Sequence, residues 1–464
     1  MFGRVSHYLT AAVVALAPLP FGSVEPIWGV VWCLLLAVAV STTRLRELRP
    51  VHVALLAPVL AVAVLYGMAV WLQSHPVPTV AEPNPIWSRA EGVLQTPMPR
   101  RISVSVSQPW SSLGVPLLML LAFLGGFLMS IERQGASLLL RAAALSGAAY
   151  AFYGMASFLL DPASLLWKEK FAYLDSLTGT FVNRNTAAAY FGTCAVLWLV
   201  LGLWEMEKRL SHGSSGRSDL AVLLHRPPRK LVLSGICFLG CLAAVLMTQS
   251  RAGTLLTLGA LLVSGVLLSR RRLSGYAKPF LAVGIASVAG ILLLELWGGG
   301  VAFRIGSYGL TDLGRLEAYR STLSIIGDHP LLGTGLGTFA DVYPAYRSAE
   351  ISTMGVWDRA HSTPLELAAE IGLPVAAAVV ALWSFGLFRL FRGSLERRRD
   401  SIYPIAATGV AFLGTSHSLV DFSLQIPGYA IVFAAVVGCG LAQSVRSAPS
   451  GATERSRLPS PVAA

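Results

Sequence analysis

The sequence predicts an all-α polytopic integral membrane protein with about twelve transmembrane helices and a long helical loop on one face. Three observations carry this. The chain of 464 residues is 54% hydrophobic and only 13% charged, where soluble domains carry about 25% charged residues. Its mean hydropathy is +0.63, and the apolar residues come in blocks of about 20, the length that crosses a hydrocarbon core. Finally, the basic residues fall into alternate connecting segments, as the positive-inside rule requires of a multi-pass chain.

The apolar stretches run over residues 8–23, 26–43, 51–73, 112–131, 137–160, 186–204, 230–248, 252–269, 279–297, 364–387, 402–418 and 427–444. The first is short. Ala15-Leu16-Ala17 would suit a signal-peptide cleavage site, but Pro18 follows directly and argues for a retained helix. With the N-terminus inside, the inside segments hold 24 of the 36 Lys and Arg residues, and each of those segments is basic. Both termini are therefore expected in the cytoplasm. Most of the net charge of +12 is a topology signal, which removes the case for nucleic acid as a partner. Cys33, Cys194, Cys237, Cys241 and Cys439 all fall inside apolar stretches and read as small packing residues.

Residues 1–446 thus read as one membrane domain, with outer loops at about 74–111, 161–185, 249–251, 298–363 and 419–426. The first of these is rich in Pro and Ser and is expected to be irregular. The HGSSGRS stretch at 212–218 reads as a flexible cytoplasmic linker. The polar tail, 447–464, is expected to be disordered and cytoplasmic. No internal repeat is visible, so the inverted-repeat signature of many transporters is missing.

The outer loops hold the polar residues that could do chemistry. TGTFVNRN at 178–185 precedes the sixth stretch, with Asn185 expected as N-cap and Arg184 at the helix mouth. Gln249-Ser250-Arg251 is almost all that separates the seventh and eighth stretches, so Arg251 must sit at or just below the outer surface. Each arginine alone reads equally as a snorkelling anchor; two on the side away from the positive-inside preference point to function. The stretch 302–361 carries Arg304, Arg315, Arg320, Arg347, Arg359, two histidines and the Gly-rich run DHPLLGTGLGTF. Residues 311–326 follow a helical period. Arg315 and Tyr319, four apart, share a face, and Arg320 lies about 140° away from Arg315. Asp328-His329-Pro330 should end that helix. The glycines read as a turn first and a phosphate cradle second, and His329 reads as structural.

Thr363-Pro-Leu-Glu366 has the pattern of a capping box with proline at the first helical position. His361 would lie two residues ahead of that cap. The positive helix end disfavours imidazolium there and favours an anion, so His361 is the candidate general base. Glu366 and Glu370 stand one turn apart, and Glu366 is left to the cap. A kink is expected at Gly372-Leu-Pro374. In HSLVDFSLQIP, His417 and Asp421 either line the same cavity or cap the eleventh stretch. The sixth, eighth and tenth stretches all start on the outer face. Arg184, Arg251 and His361 would therefore share one cationic pocket if those helices are neighbours, a pocket suited to a lipid-anchored diphosphate.

The ordered set GTFVNRN, SRAG, R-x3-Y followed by DHPLLGTGLGTF, AHSTPLELAAEIGLP and HSLVDFSLQIP, over about residues 110–440, resembles the O-antigen ligase/polymerase superfamily, including its exopolysaccharide polymerase-like members. The resemblance implies a glycosyltransferase-C-like helical fold in the bacterial inner membrane and a periplasmic active site. It implies transfer of a glycan from undecaprenyl diphosphate, with inversion, to a glycan or lipid A-core acceptor, without metal, nucleotide sugar or other cofactor. Such an enzyme belongs to lipopolysaccharide or exopolysaccharide biosynthesis and could work with polysaccharide assembly machinery. By resemblance, Arg184, Arg251 and Arg315 bind the diphosphate and His361 serves the acceptor. Asn183, Asn185, Ser250, Tyr319 and Asp421 are further substrate-binding candidates. The commoner family pattern places an asparagine and an aromatic residue near the histidine, where Ser362, Thr363 and Pro364 stand here. A protein O-oligosaccharyltransferase of the same family, or a lipid-linked sugar transporter or flippase, are the alternatives.

Overall fold

The structure is a computed structural model that describes residues 2–45, 48–76, 83–210, 227–270, 290, 313–350, 357–397 and 399–445. Its elements are helices α1 (Phe2–Leu16), α2 (Pro26–Ser41), α3 (Pro50–Ser74), α4 (Ile86–Leu94), α5 (Gln108–Ser111), α6 (Gly114–Met129) and α7 (Arg133–Leu160). A two-stranded antiparallel hairpin follows, β1 (Ser164–Leu165) and β2 (Lys168–Glu169). Then come α8 (Arg184–Leu210), α9 (Arg229–Met247), α10 (Arg251–Ser269), α11 (Leu313–Asp328), α12 (Phe339–Tyr346) and α13 (Thr363–Ile371). The last three are α14 (Leu373–Glu396), α15 (Ile402–Ser418) and α16 (Pro427–Ala442).

Among the described residues, seven helices are long and apolar enough to cross a membrane: α3, α5–α6 together, α7, α8, α9, α10 and α14. Shorter apolar helices cover Val5–Leu16, Pro26–Ser41 and Pro427–Ala442. The protein is thus a helical polytopic membrane protein. The ninth expected stretch, 279–297, apart from Gly290, the tail from 447 and the 212–218 linker lie outside the described residues.

Helix α8 is the centre of the bundle. Of its apolar window 83% is buried, against 17% for α14, so α8 is walled by protein while α14 turns most of its apolar surface outward. α7, α9, α10 and α15 pack around α8, and α6 pairs with α16. The core that results is made of alanines, leucines and the fully buried aromatics Tyr190, Phe191, Phe127 and Tyr429.

The described connecting segments gather at two ends. At one end Arg397 donates to the carbonyls of Gln443 (2.5 Å) and Val445 (2.8 Å). There also Gln443 donates to Ser130 O (2.6 Å), and Arg133 pairs with Asp400 at 2.9 Å. At the other end meet the starts of α8, α10 and α13 and the segment after α15.

Over that second end lies a helical layer with its own small core, Ala318, Ile325 and Ile326 of α11, Phe339 and Tyr343 of α12, and Ala368 and Ala369 of α13. The helix expected over 311–326 is α11, and Asp328 ends it before Pro330 as its sequence requires.

Three expectations are corrected here. The loop 74–111 is not irregular throughout. It contains α4, whose Trp87 is buried and donates its indole N–H to Ser103 O (3.0 Å), and Val104 N–H donates to Thr334 O (2.9 Å). An amphipathic nine-residue helix among prolines gave too short a period to read. The tenth stretch is not one kinked helix. It breaks completely at Gly372, which has φ 89° and ψ 159°. Only glycine takes that conformation without strain, and an added Cβ would overlap the Leu331 carbonyl. The membrane-length helix α14 therefore begins at Leu373, and α13 belongs to the outer layer. Lastly, the capping box does not form. Ser362, not Thr363, is the N-cap residue of α13, with no side-chain cap bond, because Glu366 turns its carboxylate to a different backbone N–H.

Candidate active site

Asn185 begins the construction. Asn183, rather than Asn185, caps α8: its Oδ1 accepts from the backbone N–H of Asn185 (2.7 Å) and Thr186 (3.3 Å). That frees the Asn185 side chain to turn sideways. Its Oδ1 accepts from Ser250 Oγ (2.9 Å) and its Nδ2 donates to Asp421 Oδ2 (2.7 Å). Ser250 is itself the N-cap of α10, accepting from Gly253 N–H at 3.3 Å. One amide thus ties the starts of α8 and α10 to the segment after α15.

Asp421 is the hub. It is 1% exposed, and its Oδ2 also accepts from Arg315 Nη2 (3.3 Å) while its Oδ1 accepts from Phe422 N–H (2.8 Å). Arg315 Nη1 donates to Val420 O (2.7 Å), and Thr363 Oγ1 donates to Asp421 O (3.3 Å). A continuous chain of hydrogen bonds therefore runs Ser250–Asn185–Asp421, then on to Arg315 of α11 and to Thr363 at the start of α13. The starts of α8 and α10 are joined directly by the Ser250–Asn185 bond, and the start of α13 is linked to them through Asp421. Charge-assisted bonds to a buried carboxylate are each worth about 1.5–3 kcal/mol, so this network fixes the geometry of this end of the bundle.

The arginines sit at its rim. Arg184 is the first residue of α8, with its guanidinium 5.0 Å from the Tyr173 ring centre and 4.0 Å from the Asp175 carboxylate. Gln249, at φ 54°, makes the turn between α9 and α10 and donates to Asp175 O (2.7 Å). Arg251 follows as the first residue of α10. The starts of α8 and α10, each with an arginine as its first residue, are held together by the Ser250–Asn185 bond, and helix N-termini favour anions.

His361 is held in an unusual way. Its φ is +55°, a left-handed conformation for a residue with a Cβ, which costs about 1–3 kcal/mol and persists only when the surroundings impose it. The surroundings are identifiable. Tyr319 donates its hydroxyl to His361 O (2.9 Å). The imidazole lies between Trp357 and Phe422, with ring centres at 5.3 and 5.2 Å, both edge-on. Aromatic neighbours thus come from Trp357 and Phe422 rather than from the residues just after the histidine. Arg315 and Tyr319 share the site-facing side of α11, as their spacing requires. Arg320 points away, exposed and paired with Glu317. Arg304 lies outside the described residues.

His417 does not cap α15. It is fully buried, and neither ring nitrogen has a hydrogen-bond partner among the described residues. Sequence reasoning missed the role of Phe422 and Trp357, which no local spacing signals. It also missed Gln73 of α3, which ties the Gly-rich run to the bundle. Gln73 donates to Leu332 O (2.5 Å) and Glu370 O (2.7 Å) and accepts from Leu336 N–H (3.1 Å).

A helical membrane protein with a cationic cluster of helix starts on one end defines the class. Residues 236–380 match the family model described as O-antigen ligase. Comparison with curated proteins gives no match. The family match supports a function of ligase or polymerase type.

Proposed function

We propose that this protein is a glycosyltransferase that moves a glycan from undecaprenyl diphosphate to a sugar acceptor, at the periplasmic face of a bacterial inner membrane, with both termini in the cytoplasm. The observation that supports this reading best is the hydrogen-bond chain Ser250–Asn185–Asp421–Arg315, which links the starts of α8 and α10, where Arg184 and Arg251 stand, to α11, whose Tyr319 bonds the His361 carbonyl.

The chemistry follows from that arrangement. The acceptor hydroxyl attacks the anomeric carbon of the lipid-linked glycan, and the bond to the diphosphate oxygen breaks with its electron pair. One displacement inverts the anomeric configuration. Negative charge grows on the departing diphosphate, where Arg184, Arg251, Arg315 and the starts of α8 and α10 stabilise it more in the transition state than before. His361 takes the hydroxyl proton. Tyr319 and the two flanking rings hold the imidazole against the acceptor side, so proton removal and leaving-group stabilisation occur at opposite edges of one site. The site residues as described need neither metal nor cofactor for these steps.

Lipid A core, another repeat unit and a protein hydroxyl are the candidate acceptors, and a ligase or polymerase is favoured over a protein O-oligosaccharyltransferase by the family description. A lipid-linked sugar transporter is the reading from another class. Such a transporter places its polar residues near the bilayer midplane in broken helices, whereas here they cluster at helix starts and in the outer layer. The deciding experiment incubates purified protein in detergent with a glycan on undecaprenyl diphosphate and an acceptor glycan. Lengthened acceptor together with free undecaprenyl diphosphate is the expected result; unchanged donor under conditions where the protein is folded and binds it would contradict the proposal. In cells, loss of long chains with single capped units retained indicates a polymerase, and lipid-linked polymer accumulating without attached glycan indicates a ligase.

A further inference from the structure

His361 occupies a backbone conformation it would not choose, so something must impose it. Tyr319 grips the residue from its carbonyl side. On its amino side the grip comes from Glu366. The Glu366 carboxylate is 2% exposed. Its Oε2 accepts from Ala360 N–H at 2.7 Å, and its Oε1 accepts from Arg359 Nη1 at 3.3 Å. The Gln425 side chain also faces it. A glutamate at this place in a helix start is expected to reach back to its own N-cap. Here it reaches two residues past the N-cap Ser362, to Ala360 immediately before His361, and the ordinary cap is forgone. Arg359 and Ala360 are thereby tied to the rigid start of α13, whose backbone is anchored by Glu366 N–H donating to Ser362 O at 2.9 Å. The chain between 360 and 362 is left a single residue in which to turn, and that residue is His361 at φ +55°.

We infer that Glu366 is a positioning residue that, through Ala360 and Arg359, holds His361 in its left-handed conformation with the imidazole between Trp357 and Phe422. The inference rests on His361 being the base of the proposed transfer. It gives a role to a buried carboxylate that takes no part in the chemistry itself and does not touch the reacting groups. Charged groups facing Glu366 are Arg359 from the preceding segment and Glu370 one turn along α13.

The test compares Glu366→Ala, Glu366→Gln, His361→Ala and the His361→Ala/Glu366→Ala double variant. It measures the transfer rate at saturating donor and, separately, the affinity for undecaprenyl diphosphate. If Glu366 acts through a general base, Glu366→Ala lowers kcat by about 10²-fold and leaves undecaprenyl diphosphate affinity within about threefold, because the Arg184–Arg251 edge does not depend on it. The double variant should then be no slower than His361→Ala alone, the signature of residues acting as a unit. Glu366→Gln keeps an acceptor for Ala360 N–H and should recover part of the rate, about tenfold over Glu366→Ala by the same reasoning. Wild-type kcat in Glu366→Ala while His361→Ala is inactive overturns the inference alone. Full activity in His361→Ala overturns the base assignment and the inference with it. Parallel losses of diphosphate affinity and kcat, or fully additive effects in the double variant, show a merely structural role and also overturn it. Should Glu366→Ala fail to fold, Glu366→Gln decides: a lowered kcat at unchanged affinity supports the role, and a wild-type kcat contradicts it.

Discussion

Two parts of the same outer segment, the Gly-rich turn 333–338 and the histidine turn 357–363, looked alike as sequence and differ in physics. Both turn through positive φ, taken by glycines in the first and by His361 in the second. In the Gly-rich turn nearly every amide is engaged within the protein. Thr334 N–H donates to Ala369 O (3.0 Å), Gly335 N–H to Glu370 O (2.9 Å), Leu336 N–H to Gln73 Oε1 (3.1 Å) and Phe339 N–H to Glu370 Oε1 (2.9 Å). No donor set remains there to cradle a phosphate. In the histidine turn the backbone is gripped from both sides while the imidazole is presented between two rings. The difference teaches that positive φ in this segment serves two ends: glycines take it without strain to close a joint between α3, α13 and neighbouring loops, and a strained histidine takes it to aim a side chain.

The comparison can be broken most directly at the anionic edge. Replacing both Arg184 and Arg251 by Ala should weaken undecaprenyl diphosphate binding by about 10²-fold or more, since each charge-assisted bond is worth about 1.5–3 kcal/mol; a binding isotherm in detergent reads this, and unchanged affinity would move the site elsewhere. Next in size is Asp421→Ala. It releases Asn185 and leaves Arg315 without its carboxylate, and removing one partner of a buried ion pair costs about 3 kcal/mol. Thermal unfolding should show that loss together with lower transfer activity, and a Tm equal to wild type would mean the hub is not structural.

Gly335→Ala sharpens the contrast from the other side. Gly335 has φ 112°, and an added Cβ would overlap Ser103 Oγ, so a destabilisation of about 2 kcal/mol is expected from an incompatible backbone. Activity per folded molecule should change little, which separates the joint from the chemistry. A pH effect concerns Glu370, whose carboxyl is pushed up to about 8 by burial and by the neighbouring Glu366, against the pull of the Gly337 and Phe339 amides and Arg359. The folded protein then holds a proton that the unfolded chain releases near pH 4.5, so stability is greatest below that pH and declines as pH rises toward about 8. Glu370→Gln, a neutral isostere, should flatten the decline in Tm between pH 5 and 8; a slope identical to wild type would contradict the assignment.

Much of the fold was legible because apolar helices long enough to cross a membrane are written in apolar length, a signal that needs no long-range information. Arg315 and Tyr319 were legible for a similar reason, since helical spacing alone puts them on one face. Asn185 was misassigned because two asparagines two residues apart satisfy the same capping pattern, and only the long-range pull of Asp421 and Ser250 decides between them. The break at Gly372 was underestimated because a Gly-Leu-Pro sequence permits a kink or a full break, and the choice is made by the Leu331 carbonyl, 41 positions earlier, lying against it. Glu366 was assigned to an ordinary cap because its partner Ala360 is visible only once the His361 turn has formed.

The most direct measurement of the central claim is a single-turnover assay of glycan transfer from undecaprenyl diphosphate by purified, folded wild-type and His361→Ala proteins, with donor binding recorded on the same samples. A loss of transfer of about 10²-fold or more with donor binding retained is the expected result. Transfer at the wild-type rate by folded His361→Ala would contradict the assignment of this turn as the catalytic end of the site.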